Sequence, residues 1–260
     1  RELGFEGVTA NSLDAVSDRD FVVETLGAIA LGMVHLSRLA EEITWWSNPA
    51  FGFVRASDAF STGSSMMPNK KNPDPAELVR GRAARVIGAL TGALAMLKGL
   101  PLAYQRDLQE DKAPLFDAVA VYEASLGVLA GMLDTLTVDG GRMRAAATQG
   151  HTTATAVADA LVRRGVPFRT AHHVVGSFVA HAEEAVIELD ALPDDLIIAA
   201  LASADDPVAN ALAEDPGFGD VVRGAAGLDG ALASCDVVGG TAPVRVRAEL
   251  AAARKRLDRE

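Results

Sequence analysis

The chain has 260 residues, 49% of them hydrophobic and 5% aromatic, with a formal net charge of -11. This composition favours packed helices over sheets, which are richer in β-branched and aromatic residues. The net negative charge repels phosphate backbones, so nucleic-acid binding is not expected. The one cysteine, Cys235, cannot form an internal disulfide, and we therefore expect a reducing, cytoplasmic setting.

Neither a membrane span nor a signal peptide is predicted. The charge-free apolar stretch 86–97 is about 12 residues long, against the roughly 20 that a spanning helix needs. The sequence starts at Arg1, without an initiator methionine and inside what reads as a loop. We therefore expect a fragment that lacks an N-terminal part.

A heptad-like apolar stripe predicts a first long helix over residues 20–46. Its members are Val22, Leu26, Ile29, Met33, Leu36, Ala40 and Ile43. We expect Ser17 to be its N-cap residue, with Asp20 at the third helical position of a capping box.

Two later stretches repeat this spacing and predict helices over about 75–98 and 114–137. The stripe of the second helix comprises Val79, Ala83, Val86, Leu90, Ala93 and Leu97. The stripe of the third comprises Val119, Tyr122, Leu126, Leu129, Leu133 and Leu136. Three helices of such length and repeat predict a long, left-handed antiparallel bundle.

The second predicted helix is also apolar outside its stripe, at Ile87, Ala89, Leu94 and Met96. Such a helix should be covered on several sides, which three helices of one chain cannot do. We therefore expect a homo-oligomer, a tetramer, with an ordinary monomeric bundle as the alternative.

Beyond the glycines at 140 and 141, shorter helical segments are separated by the turns "RRGVP", "ALPDD", "EDPGFGD" and "VVGG". The predicted fold is all-α. A central helical-bundle domain spans residues 1–145 and a smaller C-terminal helical domain spans 146–260. No strand is predicted.

The polar loop "STGSSMMPNKKNPDPAE", residues 61–77, interrupts the apolar helices. It has a flexible, hydroxyl-bearing turn, followed by Lys70, Lys71 and Asn72 just before a helix N-terminus, where anions are favoured. Loops of this composition are often solvated connectors, so composition alone leaves a catalytic role and a plain connector open.

The end of this loop has the pattern of a helix start. Asp74 suits the N-cap, Pro75 the first turn and Glu77 the third helical position. From the residues alone, Glu77 is therefore interpreted as a capping carboxylate.

The loop resembles the signature of the fumarase/aspartase superfamily, G-S-S-x-M-P-x-K-x-N-x-x-x-x-E. Its fixed positions are matched by Gly63, Ser64, Ser65, Met67, Pro68, Lys70, Asn72 and Glu77. Two further stretches, "NSLDAVSDRDF" at 11–21 and "GLPLAYQRDLQEDK" at 99–112, resemble the argininosuccinate lyase family and not the other members. "VRRGVPFRTAHHVVG" at 162–176 and "GGTAP" at 239–243 resemble that family's C-terminal domain, so the resemblance covers nearly the whole chain.

This resemblance implies a lyase that cleaves argininosuccinate to arginine and fumarate in arginine biosynthesis, without cofactor or metal. Ser64 would exchange the β-proton, while Lys70 and Asn72 would stabilise the doubly charged aci-carboxylate. Glu77 would pair with a histidine that lies upstream of Arg1, an assignment that we prefer to capping. Because the family's sites combine segments of three subunits, the fragment alone is expected to be inactive.

The resemblance also implies substrate-binding roles for four residues: Arg19, Tyr104, Gln109 and Lys112. Without it, Arg19 would be interpreted as an ordinary first-turn arginine. The neighbouring charges are interpreted as solvated or inter-subunit groups; they are Arg106, Asp107, Glu110 and Asp111.

The chain departs from the family pattern at Ala156, where the family usually has Asp, and at Asn69, where Gln is common. The first change puts one contact of the second domain in doubt. Two other functions stay open: another superfamily lyase, such as adenylosuccinate lyase, and a non-catalytic structural protein like the lens crystallins recruited from this family.

Overall fold

A computed structural model describes residues 2–63, 65–67 and 70–258 of the chain. This described part contains twelve α-helices and four two-residue strands, and the prediction of an all-α fold is confirmed. Two compact units, Arg1–Gly140 and Gly141–Glu260, divide the chain.

The first unit is built on three long helices that follow a short one. They are α1 (Ser12–Ser17), α2 (Asp20–Ser47), α3 (Asp74–Leu97) and α4 (Lys112–Asp134). Glu41, near the end of α2, forms an ion pair at 2.5 Å with Arg80 near the start of α3, so these two helices are antiparallel. Arg19, just before α2, contacts Asp111, just before α4, so α2 and α4 run in the same direction.

The predicted apolar stripes of α2 and α3 form the core of this bundle. Every member of the α2 stripe is buried except Leu36, which is partly buried. In α3 the stripe is likewise buried, apart from the partly buried Leu90 and Leu97. Period-3.5 spacing therefore predicts the buried faces of both helices.

The buried face of α4 is displaced from the predicted stripe by one position along the sequence, and Leu129 alone is common to both. Its buried residues are Ala118, Val121, Ser125, Leu129 and Met132, whereas Leu126 and Leu133 are 42% and 44% exposed. Since α4 is apolar around much of its circumference, periodicity alone does not select the inward face. Contact with α2 does: a Cβ atom on Gly32 would lie only 2.7 Å from the Tyr122 hydroxyl, so the glycine permits this close approach.

The predicted capping box at α2 is wrong. Ser17 ends α1, where its hydroxyl donates to the Asp14 carbonyl at 3.0 Å. Arg19 is the N-cap residue of α2, and the Asp20 amide donates to the Asp18 carboxylate at 2.9 Å. The short preceding helix, which the sequence analysis did not predict, accounts for the difference.

Four short strands, also unpredicted, form two antiparallel ladders. Strand β1 (Val54–Arg55) pairs with β4 (Thr137–Val138), and β2 (Thr62–Gly63) pairs with β3 (Lys71–Asn72). Strands of two residues are too short for an alternating pattern to be recognised. The second ladder closes the base of the signature loop.

The second unit is a cluster of short helices around a separate apolar core that includes Phe178 and Phe218. The helices from this part of the chain are α5 (Gly140–Thr148), α6 (Ala154–Val162), α7 (Phe168–Ala185), α8 (Asp194–Ala202), α9 (Pro207–Ala213), α10 (Phe218–Ala226), α11 (Leu228–Ser234) and α12 (Pro243–Leu257).

The long helices expose many apolar side chains, as expected because they carry more apolar residues than one buried stripe needs. Leu78, Ile87 and Leu94 on α3 are 57%, 43% and 51% exposed.

Two stretches, Asp20–Ser47 and Arg106–Asp134, are long and apolar enough to cross a membrane by length and composition, with 28% of each apolar window buried. Neither stretch is free of charged residues, and for this reason the sequence criterion of a charge-free apolar run does not identify either one. The core helices of soluble bundles pass the same test, so it is weak evidence for a membrane.

Candidate active site

The signature loop starts and ends at a two-residue ladder, which brings its two arms together. Thr62 pairs with Asn72 and Gly63 with Lys71. A second tie joins the same arms, because the Thr62 hydroxyl donates to the Asp74 carboxylate. The ladder therefore fixes the base of the loop, and Asn72, a predicted site residue, lies partly buried within it.

The two consecutive lysines of the loop have different surroundings. The Lys71 ammonium forms an ion pair with Asp58, and this hydrogen bond lowers the pKa of the Asp58 carboxyl. The Lys70 side chain is exposed and has no ion-pair partner among the described residues. The lysine that the signature requires is therefore the one left available for an anion.

The start of α3 differs from the prediction at Asp74. Pro73 is the N-cap residue, and Asp74 is the first helical residue, with its carboxylate turned to Thr62. Glu77 lies in the first turn with an exposed side chain, and in the described part of the chain it accepts no hydrogen bond. The Glu77 carboxylate therefore does not cap α3 in this structure. The pairing of Glu77 with a histidine stays a prediction. Ser64, the predicted acid–base residue, lies outside the described residues.

The other predicted site residues are brought together after the end of α3. Tyr104 and Gln109 contact each other directly, with the Gln109 amide donating to the Tyr104 hydroxyl. Gln109 belongs to the 3-10 helix Arg106–Asp111, which leads directly into α4 and Lys112. The loop-like stretch that carries these residues therefore forms a six-residue 3-10 helix, which a short segment with Tyr104 precedes and the start of α4 follows.

Asp111 joins Arg19 to Lys112. Its Oδ2 accepts from Arg19 Nε at 2.5 Å, and its Oδ1 accepts from Lys112 Nζ at 2.9 Å. Burial disfavours the charged form of Asp111, but the hydrogen bonds from Lys112 and Arg19 outweigh it, so its pKa is lowered from the ordinary value. Of the two interpretations of Asp111, the solvated charge is wrong, since only 5% of its surface is exposed, and the inter-subunit role stays a prediction.

The guanidinium of Arg19, expected to bind a substrate carboxylate, is largely engaged within the chain. Besides Asp111, it donates through Nη1 to the carbonyls of Asp18 at 2.6 Å and Val16 at 3.3 Å. Its side chain is 14% exposed. Direct substrate binding by Arg19 stays a prediction; in this structure it anchors Asp111.

A small cavity of about 170 Å³ lies at the same end of the bundle. Its lining residues are Ser17, Leu97, Leu100, Pro101, Leu102 and Leu108. Two of the lining residues are sequence neighbours of predicted site residues, since Leu108 precedes Gln109 and Ser17 lies two residues before Arg19.

The two groups of site residues lie at opposite ends of α3. A helix rises about 1.5 Å per residue, so Glu77 in its first turn and Leu97 at its end are about 30 Å apart. Lys70 precedes the helix, whereas Tyr104, Gln109 and Lys112 follow it. We refer to the first group (Lys70, Asn72 and Glu77) as the loop half-site and to the second (Tyr104, Gln109 and Lys112) as the tyrosine half-site. No single substrate of a few ångströms can touch both within one chain.

Four of the chain's five histidines and its cysteine lie in the second unit, and the fifth, His35, lies on α2. His151 Nδ1 lies 3.4 Å from a Glu188 carboxylate oxygen, and Cys235 is an exposed free thiol. Within the described ranges, no group of three or more His, Cys, Asp or Glu residues is arranged to hold a metal ion.

Comparisons with known proteins match both units. A family profile described as Lyase matches residues 1–88, and one described as Argininosuccinate lyase C-terminal matches residues 151–215. The curated argininosuccinate lyase of Frankia casuarinae is 52% identical over 259 residues, which are 100% of this chain and 53% of the relative. The argininosuccinate lyase of Thiobacillus denitrificans is 50% identical over 257 residues, covering 99% of this chain and 52% of its own. The chain spans about half the length of the curated relatives it matches.

A solved structure shows the same fold. An EDDS lyase variant with bound fumarate superposes with a TM-score of 0.77 at 28% sequence identity, over 99% of this chain and 50% of that one. The sequence similarity to the curated lyases and the structural similarity to the EDDS lyase variant thus both extend over at least 99% of this chain.

Proposed function

Because the chain belongs to the argininosuccinate lyase family, we propose that the natural protein carrying it cleaves argininosuccinate to arginine and fumarate, a cytoplasmic step of arginine biosynthesis. By "natural protein" we mean the protein as its source encodes it, with whatever chain flanks these 260 residues. The observation that carries the proposal is the contrast, within the family's signature loop, between Lys71, which pairs with Asp58, and Lys70, which has no ion-pair partner among the described residues.

The reaction is an elimination. A base removes the proton from the carbon that is β to the departing nitrogen, and the electron pair of that C–H bond moves into the adjacent carboxylate. The resulting aci-carboxylate carries two negative charges; it collapses to fumarate as the C–N bond breaks and the nitrogen leaves with a proton. The substrate gains and loses no electrons overall, so the step itself needs no redox cofactor.

The loop half-site supplies what this intermediate requires. Ser64 is proposed as the group that takes the proton, which demands a neighbouring cation to stabilise its alkoxide. Lys70 supplies that charge, and it lies just before the N-terminus of α3, where anions are favoured. Asn72 adds an amide donor, and Glu77 is proposed to pair with a histidine from another part of the protein. Within a closed site these donors act more strongly than they would in water.

The tyrosine half-site is proposed to bind the amino-acid part of the substrate. Tyr104, Gln109 and Lys112 supply a hydroxyl, an amide and a cation within a few residues. Since the two half-sites lie about 30 Å apart along α3, each must be completed by another copy of the chain. A homotetramer built on the exposed faces of α2 to α4 would place opposite helix ends together.

The test is the substrate specificity of the natural protein. It should release fumarate from argininosuccinate but not from adenylosuccinate, whereas an adenylosuccinate lyase would show the reverse. A structural protein that retains only the fold would release fumarate from neither.

A further inference from the structure

The buried carboxylate of Asp111 has a role that neither the signature nor the reaction assigns. Among the residues that the structure describes, Asp111 and Ser125 are the buried polar side chains. Asp111 occupies the N-cap position of α4, yet its carboxylate makes no capping hydrogen bond there. Burying a carboxylate is costly unless cations and hydrogen bonds compensate it, so its partners identify its purpose.

Each oxygen of this carboxylate accepts from a different cation. Arg19 approaches Oδ2 from the start of α2, and Lys112 approaches Oδ1 from the start of α4. The two cations differ in exposure: the Arg19 side chain is 14% exposed, whereas the Lys112 side chain is 54% exposed. Arg19 is therefore the inner, anchored partner and Lys112 the outer, accessible one.

Arg19 is fixed from two sides. Its guanidinium donates to the backbone carbonyls of Val16 and Asp18 as well as to Asp111. A guanidinium keeps a planar arrangement of donors, so these three bonds fix its orientation, and through the Nε bond it holds one oxygen of the carboxylate in place. That carboxylate in turn restrains a lysine whose long, flexible stem would otherwise sample many rotamers.

We propose that Asp111 is a positioning residue, which Arg19 holds in place and which directs the Lys112 ammonium toward the amino-acid part of the substrate. Lys112 uses one of its three donors on Asp111, so two remain for a ligand. The three side chains together carry one net positive charge, which suits the carboxylate of an amino acid. This role rests on the proposed function, because it assigns Lys112 to substrate binding.

The first test compares two aspartates of the same 3-10 helix. Asp111→Asn removes the charge from the buried carboxylate, while Asp107→Asn makes the same change at an exposed position. In the natural protein, Asp111→Asn should raise the KM for argininosuccinate about 10- to 100-fold, the scale of one charge-assisted hydrogen bond, with kcat changed little. Asp107→Asn should leave both constants unchanged.

A double-mutant cycle separates positioning from a merely structural role. If Asp111 acts through Lys112, then Asp111→Asn should change KM by less than about twofold in a Lys112→Met background. Asp111→Glu, which restores the charge on a longer stem, should recover part of the lost affinity and keeps the test valid if the asparagine variant folds poorly. A KM effect of Asp111→Asn that persists undiminished in the Lys112→Met background would overturn the proposal.

A readout without turnover distinguishes this proposal from the proposed function. Lys112 can be acylated with a water-soluble ester and quantified by peptide mass spectrometry, with the exposed Lys98 as internal reference. Loss of the Asp111 carboxylate releases the Lys112 amino group from its hydrogen bond and leaves it more accessible to the ester, so Asp111→Asn should raise the Lys112 to Lys98 labelling ratio by about threefold or more. An unchanged ratio would contradict the positioning role even in an active enzyme. Absence of fumarate release together with a raised ratio would refute only the proposed function.

Discussion

The adjacent lysines Lys70 and Lys71 offer a matched pair for testing the loop half-site. Lys71 is held by Asp58, whereas Lys70 has no ion-pair partner among the described residues. We expect Lys70→Met to lower kcat by at least about 100-fold, because a removed donor to a developing anion costs 10²–10³ in rate. Lys71→Met, which breaks an exposed ion pair, should change kcat by less than about tenfold. Steady-state kinetics of the natural protein measure both, and equal losses would contradict the assignment.

Ser64 carries the proton transfer in this account. Ser64→Ala should lower turnover by at least about 10²-fold, the usual scale of general acid–base catalysis. Substrate binding should survive, because the tyrosine half-site is untouched; calorimetric titration with argininosuccinate measures this. Near-full activity of the variant would remove Ser64 from the mechanism.

Asp111 should also make the first unit sensitive to acid. Its pKa is lowered in the folded state, so its contribution to stability is present above the unfolded value of about 4 and is lost as the pH falls through the folded pKa. At pH 7, Asp111→Asn should lower the free energy of unfolding by about 2 kcal/mol, because two cations lose their shared acceptor. Urea unfolding at pH 7 and near pH 2 should show this difference shrinking with acidity. A difference that is independent of pH would contradict the ion-pair account.

The burial of Asp111 is a feature that the sequence did not predict. Residues three apart face the same side of a 3-10 helix, and Asp111 lies three residues after the buried Leu108. From the sequence, the charged residues on both sides of Leu108 are instead interpreted as solvated or inter-subunit groups. Recognition of the 3-10 turn would have predicted the burial, but its partner Arg19, 92 residues away, depends on the packing of α2 against α4.

At the scale of elements, α2 and α3 follow their predicted stripes because their apolar residues are more concentrated on one face than those of α4. Helix α4 does not, since its circumference is apolar and two faces compete for the core. The face that the stripe predicted carries the exposed Leu126 and Leu133. In the proposed tetramer another copy covers this face. The apolar repeat in the sequence therefore includes both residues that pack within the chain and residues that pack against another chain.

Helix α3 allows a direct test of that assembly. Gly88 is exposed in the single chain, and a Cβ atom there would meet nothing within 4 Å. If partner helices pack on this face, Gly88→Leu should weaken the assembly by about 1–3 kcal/mol per contact, the cost of overpacking. Light scattering of the natural protein should then show smaller species.

Gly224 of α10 is the matched control, because it too is an exposed helical glycine with open space around it. Gly224→Leu should leave the molar mass unchanged. A stable monomer formed by the unsubstituted natural protein would refute the tetramer altogether.

For the whole molecule, the distance between the half-sites follows from the sequence once α3 is recognised, because helix length fixes it. Which copies combine does not follow, since that depends on contacts between chains. We expect the 260-residue chain alone to be inactive, however well it folds, because we propose that the histidine partner of Glu77 comes from outside these residues. Fumarate release by the purified chain would show that this histidine is dispensable.

The central claim is that the two half-sites of one chain serve different active sites. Two inactive variants of the natural protein can be unfolded, mixed in equal amounts and refolded together: Ser64→Ala in the signature loop, and the triple variant Tyr104→Phe/Gln109→Ala/Lys112→Met, which removes every proposed ligand of the tyrosine half-site. Sites that combine an intact loop from one copy with an intact Lys112 from the other should restore about a quarter of the wild-type fumarate release, as random assembly of copies predicts. Each variant refolded alone should remain inactive. Mixed oligomers without restored activity would contradict the claim, because they would mean that both half-sites belong to the same site of one chain.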